Sequence, residues 1–175
     1  MRQLHRQRRI CFQLKRSALA RYNAWANARL YDACAALPEG EYHKSRPAFF
    51  GSLHGTLNHI LVADRAWTAR LIGEPTPPGR LDTELYPDLA ALRAARVAED
   101  ARLIDLVDGY GAADLAATFA YTNYQGASFA NTRAEVLTHM FNHHTHHRGQ
   151  AHGLLSHAGA APPELDFIFY LREIG

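Results

Sequence analysis

The residues with the clearest capacity for chemistry lie in residues 137–157, which hold seven of the eleven histidines of the chain. This stretch reads LTHMFNHHTHHRGQAHGLLSH. Residues four apart lie one above the other on a helix face, so a helix here would place His139, His143 and His147 in one column. Neutral imidazoles at this spacing are good ligands for a divalent transition metal. The stretch therefore predicts a metal-binding helix.

The histidine column is predicted to face the protein interior. Val136, Met140, Ala151 and Leu154 fall on or beside it, which is the pattern of a packed helix face. A buried ring nitrogen without a polar partner is costly, and stacked imidazoles cannot all carry a charge. We therefore expect these histidines to be neutral and available as ligands.

One straight helix cannot supply all the ligands of such a site. Each step of four residues advances about 6 Å along the axis, whereas metal–nitrogen bonds are about 2.0–2.1 Å. Any adjacent pair from the column fits the geometry, and His143 and His147 are favoured because they lie nearer the middle of the helix. His139 then becomes a packing residue or supports a ligand, and a third ligand must come from another element.

The apolar periodicity and the turn signals predict an all-α fold, a four-helix bundle. The predicted helices run from about Phe12 to Ala36, from near Ser52 to Gly73, from Pro87 to Gly109 and from Thr132 to about Ala158. Bundles build metal sites in their core from facing helices. A long crossover, Leu115–Ala130, is predicted to form a short hairpin, and Leu165–Glu173 a short helix.

The third ligand predicted from this pattern is His59, on the second helix. Its row of the helix carries Gly55, Ala63 and Ala66, whose small side chains leave room for something bound. Taken alone, His59 fits a hydrogen-bonded core histidine better, but the histidine column favours a ligand. We interpret His54 as a surface or helix-end residue, and His144, His146, His152 and His157 as surface or interhelix residues.

Several polar residues have two interpretations. Asn23 and Asn27 could orient a ligand, although bonds to neighbouring helices are favoured. Tyr121, Asn123 and Tyr124 could line a pocket or simply pack their loop. Four charged residues interrupt the apolar pattern of the third helix and are interpreted as a solvated face: Arg96, Glu99, Asp100 and Arg102.

Composition limits the class of protein. With 175 residues, 47% of them hydrophobic, the chain fits a single globular domain. The two cysteines, Cys11 and Cys34, have no metal or redox spacing and fit a reducing, cytoplasmic compartment. No apolar run approaches the roughly 20 residues that cross a bilayer, so we expect no membrane association.

The net charge of +2 conceals a basic leader. Residues 1–16 carry six basic and no acidic residues, which leaves 13 basic and 17 acidic residues for the remainder. A body with this balance does not favour nucleic-acid binding. We interpret residues 1–16 as a basic, poorly ordered extension and residues 17–175 as the single domain.

The sequence lacks the zinc-peptidase motif. HExxH peptidases place a glutamate base between the two histidines, whereas His144, Thr145 and His146 stand between His143 and His147. This argues against peptidase chemistry of that kind.

From Leu19 to Glu173 the chain resembles the DinB/YfiT-like metalloenzyme superfamily. The resemblance is carried by YNAWAN, FFGSLHGTLNHILVADRAW, YTN, LTHMFNHHTHHRGQ and LDFIFYLRE. It implies a four-helix bundle, often a homodimer, that binds Zn²⁺ or Ni²⁺ through three histidines. Carried over by motif, these are His59, His143 and His147, the set that geometry also favours. The basic leader departs from the family pattern.

The resemblance also implies a reaction class. Characterised relatives are thiol-dependent S-transferases and isomerases that use bacillithiol, mycothiol or glutathione, so we expect a small-molecule substrate and a low-molecular-weight thiol. A metal held by neutral histidines keeps its charge and can lower the pKa of a bound thiol. Two alternatives remain: a metal-dependent hydrolase, and a non-enzymatic metal-binding dimer in a stress response. The catalytic residues themselves are not identified by the sequence.

Overall fold

The computed structural model describes the backbone of residues 2–175 and the side chains from Arg16 onward. Of the predicted basic extension, residues 1–16, only the side chain of Arg16 is among those described. Within the described part the chain is mostly helical. The six helices are α1 Arg2–Ala35, α2 Leu53–Ile72, α3 Leu89–Gly109, α4 Ala112–Ala116, α5 Arg133–His157 and α6 Phe167–Ile174, and the two strands are β1 Thr118–Thr122 and β2 Ser128–Thr132.

The helix ends follow the capping signals of the sequence. The Ser52 side chain accepts a hydrogen bond from Gly55 N (3.0 Å), and Asp88 caps α3 by accepting from Ala91 N (2.8 Å). Thr132 and Glu135 form a capping box at the start of α5. Gly73 ends α2 in the left-handed conformation, with φ of +75°. These local signals explain why the predicted boundaries of α2, α3 and α5 agree closely with the structure.

The fold is not purely all-α, because β1 and β2 form a small antiparallel sheet. Six of its ten residues are threonines or aromatics, which favour strands, and Tyr121 pairs with Phe129 across it, with ring centroids 5.9 Å apart. Gly126 in the connecting turn has φ of +82°, a conformation that glycine adopts readily. The predicted hairpin is therefore present, and the predicted all-α fold is confirmed only in part, as a mostly helical chain with one small sheet.

The four long helices pack against one another around two separate apolar clusters. Helix α1 packs on α3 and α5, and α2 packs on α5 and α3. One cluster is centred on Leu30, Leu57 and Leu155, and the other on Leu103 and Leu137. Within the described residues, no helix is long and apolar enough to cross a membrane.

A buried polar layer separates the two clusters. Each long helix contributes to it from positions that lie between its contributions to the two apolar clusters. The members are Asn23 and Asn27 of α1, Asp64 of α2, Arg96 and Asp100 of α3, and His144 and Arg148 of α5, each at most 5% exposed.

The layer is held together by pairing between helices. Asp64 accepts from both Arg96 and His144, and Arg96 lies 3.0 Å from Asp100. Asn23 and Asn27 donate to Asp100 at 3.1 and 3.0 Å. The prediction that these asparagines bond a neighbouring helix is confirmed.

The prediction of a solvated face on the third helix is wrong for three of its four residues. Arg96, Glu99 and Asp100 are 2%, 5% and 5% exposed, and only Arg102 of that set faces solvent. Burial of Arg96 and Asp100 is tolerated because their guanidinium and carboxylate groups are neutralised and hydrogen-bonded. These two residues pair with each other along α3, but their further partners lie on α1 and α2, so the pattern of one helix does not reveal the whole network.

We expect Asp64→Asn to lower the free energy of unfolding of the metal-free protein by about 3–5 kcal/mol, because Arg96 would lose a buried counter-charge. Urea unfolding in the presence of a chelator measures the change. The control is Asp108→Asn, which breaks an exposed pair with Arg21 (side chains 38% and 46% exposed) and should cost about 1 kcal/mol or less. Equal losses in the two variants would contradict the assigned role of the layer.

Candidate metal centre

The structure brings His59, His143 and His147 together between two helices. His59 Nε2 lies 3.2 Å from His143 Nε2 and 3.1 Å from His147 Nε2. The ligand atoms of the three residues all lie within 4.8 Å of one another, so the group could hold a metal ion. His59 comes from α2, and the other two come from consecutive turns of α5.

Hydrogen bonds made by Nδ1 fix the tautomer of two of these imidazoles. His59 Nδ1 lies 2.7 Å from the carbonyl oxygen of Leu81, which can only accept, so Nδ1 carries the hydrogen. His147 Nδ1 donates in the same way to Gln150 Oε1 at 2.8 Å. In the neutral rings Nε2 is therefore a bare lone pair, and the lone pairs of His59 and His147 face each other at 3.1 Å.

The positions of these ring nitrogens fit a site with a bound cation better than a site without one. Two neutral lone pairs at 3.1 Å repel each other and cannot form a hydrogen bond. Nitrogens bound tetrahedrally to one ion at about 2.0–2.1 Å would lie about 3.3 Å apart, close to the spacing between the rings. The donor set and its spacing therefore match a divalent metal with imidazole ligands.

The environment keeps the three histidines neutral. Burial, followed by the neighbouring His147 and His59, lowers the pKa of His143 to about 3. Burial also lowers the pKa of His147 to about 4. It lowers the pKa of His59 as well, against the opposing effect of the Leu81 carbonyl. Protons therefore do not compete for these nitrogens at neutral pH.

The histidines line a cavity of about 630 Å³. Phe50 stacks on the His59 ring with centroids 3.9 Å apart, and meets His147 edge to face at 5.5 Å. The loop after α2 and the turn between β1 and β2 supply other walls. They contribute Gly79, Arg80, Leu81, Asp82, Tyr124 and Gln125. Tyr124 lines this cavity, so the pocket-lining alternative predicted for it is confirmed.

The remaining histidines of α5 lie outside the converging group. His139 packs edge to face on Trp67, with centroids 5.1 Å apart, and beside His143 at 5.7 Å. That position matches the packing role predicted for it. His144 is fully buried and contacts Asp64 across the helix interface, as the interhelix interpretation predicted.

His54 lies at the start of α2, as the helix-end interpretation predicts, but the surface interpretation is wrong. It is 4% exposed rather than on the surface. Its ring lies 3.2 Å from the hydroxyl of Tyr42 and 3.3 Å from a carboxylate oxygen of Glu84. The periodicity of α2 could not predict this burial, because the residues that cover His54 come from neighbouring loops.

Two residues beside the site have roles that sequence reasoning did not assign. Gln150 orients His147 and donates to His146 Nε2 at 3.1 Å. Arg148 is 3% exposed and donates to Asn23 Oδ1, with its guanidinium 5.2 Å from the Tyr22 ring centroid.

Comparison with known proteins finds matches over most of the chain. The model of the DinB family matches residues 11–174. Protein DinB of Bacillus subtilis (strain 168) is 26% identical over 158 residues, which cover 87% of this chain and 91% of that relative.

We expect Gln150→Leu to weaken Zn²⁺ binding by about 10–100-fold, because the partner that orients a ligand histidine is lost. Competition with a chromophoric chelator measures the affinity. Gln125→Leu is the matched control, since Gln125 lines the cavity without an observed contact to the three rings. An unchanged affinity in Gln150→Leu would remove the orienting role.

The lowered histidine pKa values predict a pH dependence of stability. In the unfolded chain these groups take up protons below about pH 6.5, whereas in the folded protein they do so only near pH 3–4. The metal-free protein should therefore lose stability as the pH falls from about 6.5 toward 4.

Urea unfolding midpoints at successive pH values measure this dependence. It should be shallower in His143→Gln and unchanged in the control His157→Gln, a replacement of an exposed histidine. A stability that rises as the pH falls through this range would contradict the assignment.

Proposed function

This chain belongs to the DinB family, and on that premise we propose that it is a metal-dependent enzyme that acts on small molecules with a low-molecular-weight thiol as co-substrate. The reaction class is S-transfer or isomerisation, and Zn²⁺ or Ni²⁺ is the proposed metal. His59, His143 and His147 are the proposed ligands.

The observation that carries this proposal is the convergence of three neutral imidazoles at the wall of a cavity of about 630 Å³. A site that served only to hold helices together would not need a cavity of this size beside its ligands. Catalytic sites of this kind combine three protein ligands with an accessible position.

The residues around the histidines have distinct tasks in this proposal. The Leu81 carbonyl and Gln150 hold the rings of His59 and His147 so that Nε2 faces the common centre. Phe50 covers the His59 ring and keeps water from one side of it. Tyr124 and Gln125 come from the hairpin turn and help to enclose a substrate.

When bound by the three imidazoles, a divalent ion would supply Lewis-acid activation that lowers the pKa of a thiol, or of water. Neutral ligands leave the positive charge of such an ion uncancelled, which favours a thiolate near it. The same site could activate water, and the hydrolase alternative is therefore tested beside the thiol reaction.

A second candidate is a non-enzymatic protein in which metal mainly joins α2 to α5. The close approach of the His59 and His147 lone pairs favours it, because relief of that repulsion would stabilise the fold. It predicts a large loss of melting temperature on chelation and no turnover with any thiol.

The wider proposal includes one bundle of the four long helices, a homodimer and a cytoplasmic location. The packing of α1 and α2 against both α3 and α5 supports a bundle. Exposed Ile168 and Ile174 on α6, 49% and 61% accessible, support a partner surface. The buried thiol of Cys34, whose pKa burial raises to about 12, suits a compartment where cysteines stay reduced.

We expect the wild-type protein to bind one divalent ion per chain and to lose most of it in His59→Ala, His143→Ala and His147→Ala. Elemental analysis after dialysis measures the metal. His157→Ala, at the exposed end of α5, is the control and should keep the ion.

The same four variants, loaded with Zn²⁺ or Ni²⁺, are then assayed for thiol conjugation, isomerisation and ester hydrolysis. Turnover that requires both a thiol and the three histidines supports the proposal. Full metal loading without turnover across a broad thiol panel would favour the non-enzymatic candidate instead.

A further inference from the structure

A second cavity adjoins the histidine cavity. It has a volume of about 330 Å³ and lies among α2, α3 and the loop that joins them. Its charged lining residues come from all three of these elements. They are Arg65 of α2, Glu74 and Arg80 of the loop, and Glu99 and Arg102 of α3.

The two cavities share part of their lining. Arg80 and Tyr124 contribute to both. A molecule that reaches the three histidines in one cavity can therefore extend past these two side chains into the other. The two volumes together exceed what a small thiol alone would fill.

Glu99 is the least satisfied group of the second cavity. It is 5% exposed, and its Oε1 accepts no hydrogen bond from any residue the structure describes. Its Oε2 lies 4.0 Å from Arg65 Nε and 3.9 Å from Arg102 Nη1, beyond ordinary hydrogen-bond length. A buried carboxylate so poorly bonded is costly unless a further donor reaches it.

The arginines of this cavity retain capacity for an anion. The Arg80 and Arg102 side chains are 83% and 41% exposed, and each has one carboxylate partner within 3.3 Å, Asp82 and Glu74 respectively. A guanidinium has five N–H donors, so neither is saturated by that partner. The cavity therefore offers a carboxylate acceptor and guanidinium donors side by side.

We propose that this second cavity binds the zwitterionic end of an amino-acid-derived ligand. The ligand's ammonium group donates to Glu99, and its carboxylate pairs with Arg80 and Arg102. The inference rests on the proposed function, since it places the remainder of that ligand toward the three histidines. Charge balance supports a zwitterion, because a plain anion would meet Glu99 and Glu74, and a plain cation would meet the arginines.

The test uses S-methylglutathione, which carries an ammonium and a carboxylate on its glutamyl end and has no free thiol for a metal. Calorimetric titration of the metal-free wild-type protein measures binding. Acetylation of the ligand's amino group removes the ammonium and should weaken binding at least tenfold. Equal affinity for the two ligands, or undetectable binding of S-methylglutathione, would overturn the proposal.

Protein variants locate the effect. In Glu99→Gln the preference for the free amino group should disappear. Glu164→Gln removes an exposed carboxylate outside both cavities and should keep it. A preference that survives in folded Glu99→Gln would place the ammonium elsewhere and overturn the assignment, and the comparison of the two ligands on wild type stands even if this variant does not fold.

The outcome is separable from that of the enzyme proposal. In His59→Ala the preference for the free amino group should persist, because the second cavity does not contain the histidines. Its persistence together with absent turnover would leave a ligand site in a protein without the proposed activity. Loss of the preference in His59→Ala would overturn the placement of the zwitterionic end.

Discussion

The pairing of Asp64 with Arg96 and His144 is the constraint on which the site depends. A fully buried carboxylate is tolerated only while its partners stay in place, and here they come from two other helices. His144 immediately follows His143 in α5, and Asp64 lies about one and a half helical turns after His59 in α2. The contact between Asp64 and His144 thus fixes how far α2 and α5 slide and rotate relative to each other. That same relation decides whether His59 meets His143 and His147.

The sequence was informative where the physics is local. A spacing of four residues on a helix fixes the relation of His143 to His147, and capping residues fix where α2, α3 and α5 begin. His59 could be proposed because the pair needed a third ligand and because its motif resembles a family pattern. Nothing local to α2 states that its ring faces α5. The convergence had to come from the tertiary structure.

The sequence was misleading where long-range pairing reverses a local expectation. Arg96 and Asp100 are predicted to face solvent because charged residues are rarely buried without partners. They pair with each other along α3, but the partners that complete their bonding lie on α1 and α2. Leu81 could not be foreseen at all, since its contribution to the site is a backbone carbonyl. The burial of His54 was missed for a related reason, because loop residues cover it.

The site divides its tasks between rigid and variable parts of the fold. Packed helices hold the three imidazoles, whereas the loop after α2 and the hairpin turn provide much of the cavity wall. Loops tolerate substitution better than packed helices, so specificity can change while the ligand geometry is kept. The two parts are nevertheless coupled, because the Leu81 carbonyl both belongs to the loop and fixes the tautomer of His59. Asn58, beside His59, also accepts from Leu85 N at 2.8 Å and holds the end of the same loop. If this loop moved away, the hydrogen bond from His59 Nδ1 to the Leu81 carbonyl would break and the ring would be free to turn. The ligand geometry therefore depends on the same loop that forms the cavity wall.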